Sequence, residues 1–112
     1  MTVITTHVLD TSLGKPAASV PVVLSVREGA GYRELARGVT DADGRVRRFE
    51  PEPLLGVGAY SLTFETSDYF RADSRAAFFQ RVTLEFFVAD ESQHYHVPLL
   101  LSPFGYTTYR GS

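Results

Sequence analysis

Tyr60-Ser61-Leu62-Thr63-Phe64-Glu65-Thr66 alternates apolar and polar residues without a break. A period of two sends successive side chains to opposite faces of a strand. The stretch therefore reads as a half-buried β-strand with Tyr60, Leu62 and Phe64 inward and Ser61, Thr63 and Glu65 facing water. The same signature recurs downstream at Val82–Val88, where Phe87 sits among the polar positions Thr83 and Glu85 and points to a partner surface. Upstream, residues 20–27 place Val20, Val22, Leu24 and Val26 on one face, with Pro21 marking a strand start or an edge. Residues 2–10 are rich in β-branched side chains and stop at the turn-forming run Asp10-Thr11-Ser12-Leu13-Gly14-Lys15-Pro16. Weaker strands are expected at 33–40 and 45–49, either side of Asp41-Ala42-Asp43-Gly44, whose Asp-Gly pair calls for a tight turn. Two more, at 93–101 and 104–110, flank Ser102-Pro103. One brief helix, capped by Ser67-Asp68, is expected through roughly 71–74.

Eight short strands imply an all-β sandwich of two packed sheets, and 112 residues leave room for a single domain over 1–112. Apolar residues at 44% and charged residues at 21% exclude a disordered chain. Eleven Lys+Arg against thirteen Asp+Glu give a net charge of -2, so no basic field exists for nucleic acid or an anionic membrane. The lack of cysteine excludes a disulfide framework, a thiolate zinc site and a Cys nucleophile. No apolar run approaches ~18 residues, and the opening Met1-Thr2-Val3-Ile4-Thr5-Thr6 turns polar at once, which makes the cytoplasm the simplest address. In 93–101, Val97, Leu99 and Leu101 share one face, while Pro98 and Leu100 make the other face apolar as well. A sheet covered on both sides implies contact between copies of the chain, so an oligomer is expected.

Three histidines occur, two of them in His94-Tyr95-His96, where the i, i+2 spacing of a strand points both imidazoles the same way. Together with His7 they are compatible with a zinc ion keeping an open position, or equally with hydrogen-bonding surface histidines. No acid stands within the triplet to orient a ligand, although Asp90 and Glu91 are close by. His7, in mid-strand, is either a satisfied sandwich histidine or a general base titrating near neutral pH. Arg45 is either a solvated strand start or a planar fork of donors for a carbonyl or urea-like group and its oxyanion. The tail Tyr109-Arg110-Gly111-Ser112 follows a strand with no polar spacer, which suggests that it is held in place rather than frayed. Neither a Gly-x-Ser-x-Gly elbow nor a nucleotide-binding glycine pattern is present.

Several of these stretches taken together resemble one family. Thr6-His7-Val8-Leu9-Asp10, Gly14-Lys15-Pro16-Ala17, Asp43-Gly44-Arg45, Asp68-Tyr69-Phe70 and above all residues 94–112 are similar to the transthyretin-related 5-hydroxyisourate hydrolases of purine catabolism. The likeness runs along essentially the whole chain. It departs at Phe78-Phe79-Gln80-Arg81, where relatives often carry Phe-Phe-Pro-Glu, and mildly at Asp41. The resemblance implies a transthyretin-like sandwich of two four-stranded sheets with one short helix, assembled as a homotetramer with active clefts at the dimer–dimer interface. It implies hydrolysis of 5-hydroxyisourate to 2-oxo-4-hydroxy-4-carboxy-5-ureidoimidazoline without metal or other cofactor. The family's catalytic positions fall on His7, Arg45 and His96, and its tail on Tyr109 to Ser112, with Tyr109 and Ser112 orienting substrate. The competing reading is a non-catalytic small-molecule carrier, since transthyretin itself shares the fold.

Overall fold

The computed structural model describes residues 2–112. The elements run β1 (Val3–Asp10), β2 (Lys15–Pro16), β3 (Pro21–Glu28), β4 (Gly31–Val39), β5 (Arg45–Val46), β6 (Gly58–Phe64), α1 (Ser67–Ala72), β7 (Val82–Val88), β8 (His94–Ser102) and β9 (Gly105–Thr108). Two sheets result. One has the order β4-β3-β6-β7; the other has the order β2-β1-β8-β9, with β5 pairing with β1 beside β2. The expected two-sheet sandwich with one short helix is therefore present, and the larger sheet has a fifth strand in β2. A two-residue strand shows no period, so nothing in the sequence marks it.

The alternating positions supply the core. Ile4 and Val8 of β1, Val22 and Leu24 of β3, Leu62 and Phe64 of β6, and Leu99 and Leu101 of β8 are all buried between the sheets. Phe87 is 61% exposed on the outer side of β7, as its place in the alternation requires. Ser61 departs from expectation, for it is only 3% exposed. It lies on the central strand β6 between Ser25 and Glu85, and its small side chain is shadowed by these neighbours.

Further boundaries differ: β6 spans Gly58–Phe64 rather than 60–66, and β4 begins at Gly31 rather than 33. The helix starts at Ser67 rather than using Ser67-Asp68 as its cap; Thr66 is the N-cap, without a side-chain capping bond, and Phe70 is driven into the core. Ser74, expected inside the helix, lies beyond its end in the left-handed region at φ 55. The strand expected at 45–49 contracts to Arg45–Val46, although Phe49 is still buried, and the last strand ends at Thr108.

The turn that joins β4 to β5 positions the site. Asp41 accepts hydrogen bonds at Oδ1 from the backbone N–H groups of Asp43 (2.9 Å) and Arg45 (3.0 Å), which curls the chain into an Asx-type turn. Gly44 closes it at φ 75, and its carbonyl accepts the Val8 N–H at 2.7 Å. A Cβ at Gly44 would run into the Val8 carbonyl oxygen. Gly44→Ala is therefore expected to cost about 2–4 kcal/mol, from left-handed backbone strain plus the forced shift of β1. Urea unfolding monitored by far-UV circular dichroism measures it, and an unchanged midpoint would refute the account.

Candidate active site

Strand register brings the outward side chains of three strands together. On β1 the inward residues Ile4, Thr6, Val8 and Asp10 are buried, which turns Thr5 and His7 to the outside. The antiparallel β1–β5 pair sets His7 opposite Arg45, and the parallel β1–β8 pair sets Thr5 opposite His96 and His7 opposite Pro98. Residues separated by 38 to 91 positions in the chain thus share one outer face.

The tail completes this face. Gly111 donates its N–H to the His96 carbonyl at 2.8 Å, forming an isolated bridge beyond β9. A Cβ on Gly111 would come within 2.7 Å of His96 Cδ2 and 3.2 Å of Pro98 Cγ, so only glycine lets the backbone lie this close to the imidazole. Arg110 anchors the same segment, donating to Gln93 Oε1 at 2.7 Å with its guanidinium 4.4 Å from the Tyr95 ring centroid. Pro98 is buried within the single chain, its neighbour Gly111 packed over it, so part of the apolar outer face of β8 is covered by the chain's own tail.

His7, Arg45, His96, Tyr109 and Ser112 all line one open cleft of about 700 Å³. Every sequence-derived site residue is therefore present at a single place. His7 is half-exposed on the outer face, so it is not a buried sandwich histidine. His94 and Arg47 also reach the cleft. The Arg47 guanidinium is committed to Asp41 at 2.6 Å and lies 3.7 Å from Asp43, whereas Arg45 joins no ion pair among the described residues. Among those residues no three His, Cys, Asp or Glu side chains are grouped to hold a metal ion. Asp90, near the triplet in sequence, instead accepts from Ser92 and Gln93.

Both imidazoles expected to act are held below the ordinary histidine value. At His7 burial is the main cause, followed by repulsion from Arg45, and the Asp43 backbone with the Asp41 and Asp43 charges pulls the other way. At His96 burial again leads, followed by Arg45, His7 and His94. Burial, with the clustered positive groups behind it, favours neutral rings at neutral pH, the form that accepts a proton. Thr5, whose hydroxyl meets both histidines of the triplet, escaped the sequence reading, and within the named tail so did the part played by Gly111, whose missing side chain seats it. The signal for Thr5 was available, since residue i−2 of His7 must share its face.

The sequence model of the HIUase/Transthyretin family matches residues 4–111. The 5-hydroxyisourate hydrolase of Caulobacter vibrioides is 48% identical over 116 residues, covering 100% of both chains. The solved 5-hydroxyisourate hydrolase of Klebsiella pneumoniae superposes with a TM-score of 0.84 at 42% identity, covering 97% of this chain and 98% of the other. Sea bream transthyretin, solved in complex with thyroxine, superposes with a TM-score of 0.89 at 32% identity, covering 96% and 93%. A sandwich common to an enzyme and to a thyroxine-complexed protein, matched from Ile4 to Gly111, leaves one conclusion about kinship: the chain belongs to the HIUase/Transthyretin family.

Proposed function

We propose that the chain is a 5-hydroxyisourate hydrolase, a single domain over 1–112 that opens the lactam of its substrate with water and needs no cofactor. The observation that carries the reading is the convergence of His7, Arg45, His96, Tyr109 and Ser112 on one cleft. In the proposed reaction a neutral imidazole, His7 or His96, takes a proton from water as the oxygen bonds to the lactam carbonyl carbon. Arg45, free of ion pairs among the described residues, holds the developing oxyanion with its fixed donors. The C–N bond then breaks, the imidazolium returns its proton to the leaving nitrogen, and the carboxylic acid so formed gives its remaining proton to solvent, leaving the carboxylate product. Tyr109 and Ser112 orient the ring. Two histidines and an unpaired arginine favour this over a carrier, whose pocket would be lined mainly by apolar groups.

The same proposal includes a homotetramer with the clefts at the dimer–dimer contact and a cytoplasmic location. The half-buried Leu100 and exposed Val3 beside the cleft support a second copy over this face. Light scattering after gel filtration tests the assembly, and cell fractionation the location.

The deciding assay generates 5-hydroxyisourate with urate oxidase and follows its ultraviolet decay with and without the protein. Decay at the uncatalysed rate would end the hydrolase reading. The tail supplies a sharper prediction. Gly111→Ala forces apart the tail and the His96 ring, and displacement on the order of an ångström is expected to lower kcat/KM about 10- to 100-fold. Because the site lies at the surface, the thermal midpoint should shift by less than about 4 °C.

A further inference from the structure

Thr5 is the outward residue two before His7, and the parallel register sets it directly beside His96. Its Oγ1 lies 2.8 Å from His96 Nδ1 and 2.9 Å from His94 Nε2. A hydroxyl has one proton to donate and two lone pairs to accept with. Between two neutral imidazoles it donates to one ring and accepts from the other, so the tautomers of the two rings are coupled. One direction of the chain of bonds leaves His96 with a bare Nε2; the other leaves Nε2 protonated.

We propose that Thr5 is a positioning residue that fixes His96 as the Nδ1–H tautomer, His96 donating to Thr5 Oγ1 and Thr5 donating to His94 Nε2, so that the basic Nε2 of His96 is available to the cleft. The direction rests on the hydrolase reading, because a base in the cleft needs a lone pair on the nitrogen that Thr5 does not occupy. An unconstrained imidazole divides itself between two tautomers and several ring orientations, and only one combination can take a proton from water. The hydroxyl removes the others before substrate arrives, in the way that a carboxylate or carbonyl orients histidine elsewhere. When Nε2 takes the proton, the Nδ1–H bond to Thr5 persists, and the same proton leaves from Nε2 to the departing nitrogen. No second acid or base is consumed. This also assigns a place to His94: it is the acceptor that holds the Thr5 hydroxyl in the required sense. A threonine present only for strand propensity would be replaceable by valine, which has the same shape and no hydroxyl.

The test compares the full-length wild type with Thr5→Val and Thr5→Ser by long-range 15N–1H correlation at histidine, read without substrate, and by steady-state kinetics. Wild type should show His96 as Nδ1–H. Thr5→Val should redistribute the ring towards Nε2–H and lower kcat on the order of tenfold with KM little changed, while Thr5→Ser restores both the tautomer and most of the rate. An Nε2–H ring in the wild type, a Thr5→Val tautomer and kcat equal to wild type, or a serine variant as impaired as the valine one would each overturn the proposal. A wild-type chain that fails to accelerate 5-hydroxyisourate decay overturns the hydrolase reading instead, a result obtained independently of the tautomer spectra.

Discussion

Replacing Arg45 by alanine is expected to lower kcat/KM for 5-hydroxyisourate about 100- to 1,000-fold, the loss typical of removing one preorganised oxyanion donor. Arg45 lies opposite His7 in the β1–β5 pair and is half-exposed in the cleft. Its backbone, not its side chain, is what the Asp41 turn holds, through the 3.0 Å bond from the Arg45 N–H. The turn should therefore survive the substitution, and the thermal midpoint should move by less than about 4 °C. Arg47 is a poor substitute because Asp41 and Asp43 already engage it. Arg45→Lys keeps the charge but loses the planar fork, so it should fall between alanine and wild type. A second consequence has a definite sign. Arg45 is among the charges that hold His7 and His96 below the ordinary histidine value, so its removal raises both. More of each ring is then protonated in mildly acidic solution, and the acid limb of the pH–rate profile should move to higher pH in Arg45→Ala. Turnover near the wild-type rate, with an unmoved acid limb, would remove Arg45 from the mechanism.

The contrast between strong and weak sequence signals follows chain length and periodicity. Strands β3, β6, β7 and β8 carry clear period-two stretches, and each lies within two residues of where its pattern put it, β7 over the same residues 82–88. The pairs Lys15–Pro16 and Arg45–Val46 have two residues each, so β2 was missed and β5 was drawn too long. Their existence depends on β1 offering its free edge, which is a tertiary fact. The helix was misplaced because Ser67 and Asp68 are good capping residues in isolation, while the burial of Phe70 decides where the turn of helix lies.

The site was legible as a set of residues and not as an arrangement. His7, Arg45, His96 and the tail were each readable as chemistry-bearing groups, and a family resemblance joined them. What joins them physically is the parallel register of β1 with β8, between segments about 90 residues apart, which no local pattern announces. Phe78 and Phe79, at the departure from the family pattern, meet edge-on, and Phe79 also meets Tyr106 edge-on, away from the cleft. That loop thus carries a surface aromatic cluster whose composition leaves the site residues untouched.

Asp10→Ala is expected to destabilise the chain by about 3–5 kcal/mol, because it strands a partly buried guanidinium and empties a fully formed network. The Asp10 side chain is 0% exposed at the inward end of β1. Its Oδ2 accepts from Arg75 Nη2 at 2.6 Å and from the Tyr69 hydroxyl at 2.7 Å, and its Oδ1 accepts from Ser12 Oγ at 2.8 Å. The N–H groups of Ser12 and Leu13 add two bonds of 3.1 Å each. The network ties the first strand to α1 and to the residues after it, and Arg75 also lies 5.0 Å from the Phe70 ring centroid. Burial by itself pushes the Asp10 carboxyl up, but the bonds from Arg75, Tyr69 and Ser12 outweigh it and hold the group far below the usual carboxylate range. The Tyr69 phenol, half-buried and facing that carboxylate, is pushed up to about 12, burial first and the carboxylate second. A carboxyl depressed in the folded state contributes stability that is complete above its unfolded value of about 3.9 and is lost as pH falls below it. The gap between wild type and Asp10→Ala should therefore be constant near neutrality and narrow in acid, because only the wild type has this contribution to lose. Urea unfolding at a series of pH values measures the gap directly. A difference under about 1 kcal/mol at neutral pH, or one that stays flat into strong acid, would show that the buried pair does no more than offset its own desolvation.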